Sequence, residues 1–284
     1  MHAARTRPEI ALVVGDLGYG VVEPFADEFP ERFFNAGVAE QNMVGLAAGM
    51  ASEGYHIFTY SIANFPTFRC AEQLRNDVDY HNLAVTTVAV GGGVGYGALG
   101  YSHHAVQDYA LMRVLPNTVI AAPADPGQVA DCMRWLVDNP GPSYLRLGKA
   151  GESAICNRME PTEPGKLVPI KLQNSTRAVV VTGTAAQKLQ GLGFFKDKLT
   201  YDILSVPLWS MATKSALAGA LAKYDEIVSF EDHLEDGGFG SYIAEGLISI
   251  GASTALTIKA FDRDLCGLVG SQSALEQFGW KSKF

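Results

Sequence analysis

The sequence predicts an α/β protein of two domains, each a mainly parallel sheet flanked by helices. Three observations lead there. Short β-branched runs alternate with helix-periodic stretches through the first half of the chain. Composition then shifts toward Pro, Gly and polar residues over 148–177, and a second, shorter alternation follows. The expected division is a first domain over residues 1–155, a linker over 156–177 and a second domain over 178–284.

Taken in order, EIALVVGDLG (9–18) is a β-branched run ending in a turn, hence a strand and a loop. Residues 38–52 place Met43, Leu46, Ala47 and Met50 at helical spacing, which predicts a buried helix; Gly45 and Gly49 fall four apart on it. YHIFTYSI (55–62) reads as the next strand and TFRCAEQLRNDVDY (67–80) as an amphipathic helix. LAVTTVAVGGG (83–93) is a strand running into glycine, and NTVIAAPADP (117–126) another. PGQVADCMRWLVDN (126–139) is a helix and GPSYLRLG (141–148) a fifth strand. Beyond the linker, AVVVTGT, YDILSVPLW, EIVSFEDH and LTIKAFD are strand-like, with helical stretches between them. No repeat and no low-complexity tract interrupts the pattern.

Hydrophobic residues make up 48% of the 284 and charged residues 18%, enough for a sizeable core and unlike a disordered chain. A formal net charge of −8 with scattered Lys and Arg argues against nucleic-acid binding and against a basic membrane-surface helix. Cys70, Cys132, Cys156 and Cys266 lie far apart without metal-ligand or disulfide-framework spacing, and read as reduced core residues. The N-terminal MHAARTRPEIALVVGD has no signal-peptide apolar region, and no apolar run reaches 18 residues. The expectation is a soluble, cytoplasmic protein.

Two features could carry chemistry. The loop GGGVGYGALGYSHH (91–104) follows a strand, a usual place for a ligand in a parallel sheet. It has neither the dinucleotide fingerprint nor Walker-A spacing, so a nucleotide site is weakly supported. His103 and His104 are adjacent and point in different directions, so at most one faces a given pocket; the plain alternative is a solvated surface loop. Glu40 is a single carboxylate where an apolar helical run begins. Its plain explanation is favourable contact with the positive end of the helix dipole.

Residues 29–51, FPERFFNAGVAEQNMVGLAAGMA, closely resemble the pyrimidine-binding section of the transketolase family. So, in collinear order, do NFPTFRCAEQLRND (64–77), the glycine loop ending in YSHH, QDYALMRVLPNTVIAAPAD (107–125) and PSYLRLG (142–148). The likeness extends over about residues 9–150. The region 165–284 resembles the family's C-terminal domain more loosely, with SFEDHLEDGGFGSYIAEGL (229–247) its recognisable feature.

The resemblance implies thiamine diphosphate as cofactor. Glu40 matches the glutamate that hydrogen-bonds a ring nitrogen of the aminopyrimidine, favouring the tautomer that takes the C2 proton of the thiazolium. A carboxyl group held away from water keeps or shares a proton more readily than an exposed one, and the buried helix behind Glu40 supplies such a wall. Phe65 matches an aromatic stacked on that ring; the alternative is an ordinary core phenylalanine. Asp16 and Leu17 match positions lining the cofactor, although a strand-end Asp is often only a turn-former. His103 matches a histidine near the reacting carbon, suited to donating a hydrogen bond or shuttling a proton. Arg146 matches an arginine that binds substrate phosphate, its alternative being a salt bridge at a strand end.

The departures from the family bear on substrate. Leu99 stands where relatives carry an aspartate that recognises a sugar hydroxyl, and Gly91 and Gly20 stand where ordinary transketolases have a histidine and a serine. Losing a hydrogen-bond acceptor at Leu99 weakens recognition of a hydroxylated substrate. His104 is a second substrate-side candidate for the lost role. GVGYGALGYSH also resembles the corresponding loop of the β-subunits of 2-oxo acid dehydrogenases.

The family holds the cofactor's diphosphate through a divalent metal on a Gly-Asp-Gly…Asn motif in a separate N-terminal section. No GDG occurs in these 284 residues, and none of their side chains is expected to ligate a metal. The resemblance therefore implies a partner chain bearing that motif and Mg2+, with two chain pairs assembling as α2β2. The leading expectation is the C-terminal-section subunit of a split transketolase-like enzyme moving a two-carbon ketol or acyl unit to an aldehyde or keto sugar. The alternatives are a β-type subunit of a 2-oxo acid decarboxylating enzyme and a non-catalytic scaffold.

Overall fold

The computed structural model describes residues 1–62, 64–155, 161–189 and 200–281. Twelve strands are found among them: β1 (Ile10–Val14), β2 (Phe33–Asn35), β3 (His56–Ile62), β4 (Val85–Val90), β5 (Val119–Ala121), β6 (Ser143–Leu147), β7 (Val168–Lys171), β8 (Arg177–Val181), β9 (Asp202–Ser205), β10 (Leu208–Ser210), β11 (Glu226–Leu234) and β12 (Ala255–Phe261). They form a seven-stranded sheet in the order β10-β5-β6-β4-β3-β1-β2 and a five-stranded sheet in the order β12-β11-β8-β9-β7. Only β10 and β7, both at sheet edges, run antiparallel to their neighbours. The helices that connect parallel strands lie on the sheet faces, and the inner strands are accordingly buried on both. Every residue of β4, VTTVAV, is buried, and so are the four apolar residues that end β8.

The helix Glu40–Ser52 buries Met43, Val44, Ala47, Ala48 and Ala51, spacings of three and four that face it onto the first sheet. The helix Pro126–Asp138 starts at an Asp125 cap whose carboxylate accepts the Gln128 N–H, with Pro126 in the first turn. The expected helix over 67–80 is interrupted. Phe65–Phe68 ends in a tight turn where the Cys70 N–H bonds the Thr67 carbonyl, and Ala71–Gln73 then leads into a π-helical turn, Leu74–Asp79.

YDILSVPLW is two strands rather than one. Through Val206 the chain pairs with β8; at Pro207, which has no N–H to extend the ladder, it crosses to the first sheet. The Pro207 carbonyl accepts the Ala122 N–H, and β10 adds to the edge strand β5. Trp209 on β10 is fully buried, its ring 4.9 Å from Tyr242, 5.3 Å from Phe239 and 5.4 Å from Tyr109. One apolar core thus runs through both sheet units.

Of the expected linker, residues 156–160 lie outside the described residues; 168–171 form β7, and Arg177 opens β8. Cys70 and Cys132 are buried as expected, whereas Cys266 is half-exposed, and Cys156 is outside the described residues. Among the described residues no helix is long and apolar enough to cross a membrane.

His56, on β3, is buried against the Phe58 ring with Nε2 3.1 Å from Thr86 Oγ1. Burial pushes its pKa down to about 4 from an ordinary value of 6.5. The unfolded chain therefore binds a proton that the folded chain refuses between these values, and stability is lost as pH falls from 6.5 toward 4. In urea unfolding, wild type should lose roughly 3 kcal/mol more than His56→Gln across that window. Equal pH slopes for the two chains would contradict this.

Candidate active site

Three adjacent parallel strands, β1, β3 and β4, send their carboxyl ends to one edge of the first sheet. Asp16 and Leu17 follow β1, Phe65 follows β3, and His103 lies on the glycine loop after β4. Glu40 opens the helix that follows β2 at the same edge. The fold therefore brings together residues from separate loops, in the crevice where parallel sheets usually hold ligands.

Glu40 is 1% exposed. Gly15 packs beside it: a Cβ there would lie 3.6 Å from both Glu40 Cγ and Oε1. The Ser61 hydroxyl donates to Oε1 at 3.3 Å, and Arg69 donates from Nη1 to Oε2 at 2.7 Å. The pocket is thus not the apolar wall expected from the helix alone: one hydroxyl and one cation reach the carboxylate. The Arg69 guanidinium also lies over the Phe65 ring, 4.3 Å from its centroid. On the edge of Phe65 stands His103, with ring centroids 5.0 Å apart at 69°. His103 Nδ1 lies 3.0 Å from the Ser102 hydroxyl, and Asn64 donates to the Ser102 carbonyl, tying the loop to the segment after β3.

Asp16 adopts φ 58°, and its carboxylate accepts from Asn35 Nδ2 and the Tyr19 hydroxyl while its N–H donates to Asn35 Oδ1. These are the contacts of a turn-former. Leu17 follows it, half-buried. Leu99 is 56% exposed on the short turn Gly97–Leu99. His104 turns inward, 1% exposed, with its ring edge-on to Tyr101, so only His103 of the pair stands at Phe65. Burial lowers the His104 pKa, opposed by the Gly97 backbone and reinforced by His103.

Arg146 departs from the phosphate role expected for it. It is buried on β6, and its guanidinium donates to Asp108 Oδ2 and Asp232 Oδ1, each at 2.7 Å, to the Tyr109 hydroxyl and to the Ala105 carbonyl. Tyr144 adds a 2.6 Å hydrogen bond to Asp108. Burial works against the Arg146 charge, but the two carboxylates outweigh it and raise its pKa. The donors that would grip a phosphate are spent on this cluster, which is the salt-bridge alternative in a buried form. Its position explains two loop glycines. A Cβ at Gly92 would sit 2.6 Å from Arg146 Cζ, and one at Gly93, where φ is +65°, 2.9 Å from Asp232 Oδ2. Gly93 and Ala105 exchange backbone hydrogen bonds at the base of the loop, directly on the Arg146 cluster.

Sequence reasoning missed Ser61 and Arg69, the two donors on Glu40. Arg69 lies inside the stretch 64–77 that carries the resemblance. Lys149 lines a cavity of about 330 Å³ at the carboxyl ends of β3, β4 and β6, with Val21, Tyr60, Val90, Leu147 and Thr184. Tyr60 and Ser61 alternate across β3, so this cavity opens on the face away from Glu40. Among the described residues no group of three or more His, Cys, Asp or Glu could hold a metal ion.

The family model described as the transketolase pyrimidine-binding domain matches residues 2–151. A protein of Methanocaldococcus jannaschii named as a transketolase C-terminal section is 35% identical over 258 residues, covering 89% of this chain and 80% of that one. A protein of Actinobacillus succinogenes named as a subunit of apulose-4-phosphate transketolase is 28% identical over 279 residues, covering 98% and 90%. A solved split-gene transketolase, an inactive β4 tetramer, superposes with a TM-score of 0.82 at 29% identity, covering 98% and 90%.

Arg146→Met leaves Asp108 and Asp232 facing each other without their cation in the interior. Urea unfolding should show a loss of roughly 3–5 kcal/mol. A loss below about 1 kcal/mol would mean the cluster is not the junction described.

Proposed function

The chain belongs to the transketolase family, and on that premise we propose that it is the pyrimidine-binding and C-terminal subunit of a split transketolase, working with thiamine diphosphate and a partner chain. The observation that carries the reading is the convergence of a buried Glu40, the Phe65 ring and His103 at one sheet edge. These residues fit the group: a carboxylate that already accepts an N–H, beside an aromatic face that already carries a flat cation. When bound, the cofactor supplies the carbon nucleophile that cleaves a bond beside a carbonyl.

In this proposal Glu40 hydrogen-bonds the pyrimidine and holds or returns a proton at its Oε2, sheltered from water. Phe65 stacks on the ring and fixes its plane. Asp16 and Leu17 line the cofactor from the turn after β1. His103 faces the substrate and donates to, or exchanges a proton with, an oxygen at the reacting carbon. Arg146, its donors held by Asp108 and Asp232, is not the proposed cation for a phosphorylated substrate.

Relatives matched over 80% or more of their own length carry transketolase names, whereas those named 1-deoxy-D-xylulose-5-phosphate synthase are matched over only about 40% of theirs; the first group favours two-carbon transfer between sugars over 2-oxo acid decarboxylation. Relatives named for apulose 4-phosphate support a phosphorylated sugar as the substrate class. The proposal includes a partner chain carrying the diphosphate motif and Mg2+, an α2β2 assembly and a cytoplasmic location. It also divides the chain into a pyrimidine-binding domain over 1–155 and a C-terminal domain that begins with β7 at Val168.

With the partner chain present, Glu40→Gln should lower kcat for ketose-dependent two-carbon transfer by about 10²-fold or more while circular dichroism stays native. The chain on its own should show no turnover. Full activity in Glu40→Gln would favour a scaffold role, and turnover by the lone chain would remove the split-enzyme reading.

A further inference from the structure

Arg69 makes two contacts at once. It donates to Oε2 of Glu40 at 2.7 Å, and its guanidinium lies over Phe65, 4.3 Å from the ring centroid. A planar cationic group with N–H donors, set over Phe65 and bonded to Glu40, makes the same pair of contacts that the aminopyrimidine makes in the proposed function. A carboxylate with Ser61 on one oxygen and Arg69 on the other has its donor-facing sides engaged.

We propose that Arg69 is a displaceable place-holder: its guanidinium and the aminopyrimidine compete for Glu40 and Phe65, so Arg69 swings out as the cofactor enters. This rests on the reading of Glu40 and Phe65 as the pyrimidine site. The two partners differ in freedom. The Glu40 side chain is 1% exposed and fixed at the helix start, whereas the Arg69 side chain is 44% exposed, between two short helical segments, with water into which it can turn. The ion pair keeps a buried carboxylate from being left without a partner, which is strongly unfavourable. Cofactor binding then has to break it, and the fraction of chains with Arg69 turned outward scales the apparent affinity.

Removing Arg69 acts in one direction for both reasons: the competitor is gone, and Glu40 is left wanting a donor. The test is calorimetric titration of thiamine diphosphate with Mg2+ into the chain assembled with its partner, comparing wild type, Arg69→Ala, Arg69→Met and Glu40→Ala. Arg69→Met keeps an apolar stem on Phe65 while lacking any N–H, so it separates a folding defect from loss of the competitor. Both Arg69 variants should bind roughly tenfold more tightly than wild type, and Glu40→Ala should bind more weakly. Equal or weaker binding by the Arg69 variants overturns the place-holder and makes Arg69 a clamp that stays with the bound ring. If Glu40→Ala binds as wild type does, or none of the four binds, the reading of the site itself fails and the place-holder with it.

Discussion

A carboxylate buried at the start of a helix needs a donor, and at Glu40 the fold supplies two: the Ser61 hydroxyl from β3 and the Arg69 guanidinium from the segment after it. Desolvating a charge without such partners is costly enough to move or unfold the segment that bears it. That constraint sets the arrangement at the sheet edge. Arg69 covers Phe65 while pairing with Glu40, and Phe65 gives His103 an edge to pack on. Glu40, Arg69, Phe65 and His103 are therefore one contact chain rather than four separate features.

A second buried charge cluster holds the loop that completes the site. Arg146 from the first sheet meets Asp232 from the second and Asp108 from the short helix Asp108–Met112 between β4 and β5, all shielded from water. The glycine loop closes over this cluster through Gly93 and Ala105, so the position of His103 depends on a side chain of the C-terminal unit. The antiparallel addition of β10 and the packing of Trp209 among Tyr109, Phe239 and Tyr242 reinforce the same junction. The C-terminal unit thus acts on the candidate site by packing beneath its loop.

Much of this is legible in the sequence, for reasons that also explain the misses. Strands such as VTTVAV and the helix after Glu40 are written in local periodicity, and both stand where it puts them. Glu40, Phe65 and His103 are spread over more than sixty positions yet meet in space, as their collinear motifs imply. Arg146 is misread because its partner Asp232 is 86 residues away and nothing local announces the pairing. Arg69 escapes notice because its meaning lies in Glu40, 29 residues earlier, across a crossover helix. β2 and β10, three residues each, are too short for a period, and the break at Pro207 shows only once a second sheet is there to receive the chain. His104 differs from His103 only in which way the loop turns, which no spacing encodes.

The measurement that bears most directly on the central claim is a crystal structure of the assembled chain pair grown with thiamine diphosphate. The account predicts the aminopyrimidine hydrogen-bonded to Glu40 and stacked on Phe65, with Arg69 turned away from both. The cofactor ring lodged elsewhere, with the carboxylate of Glu40 still held by Arg69, would contradict it.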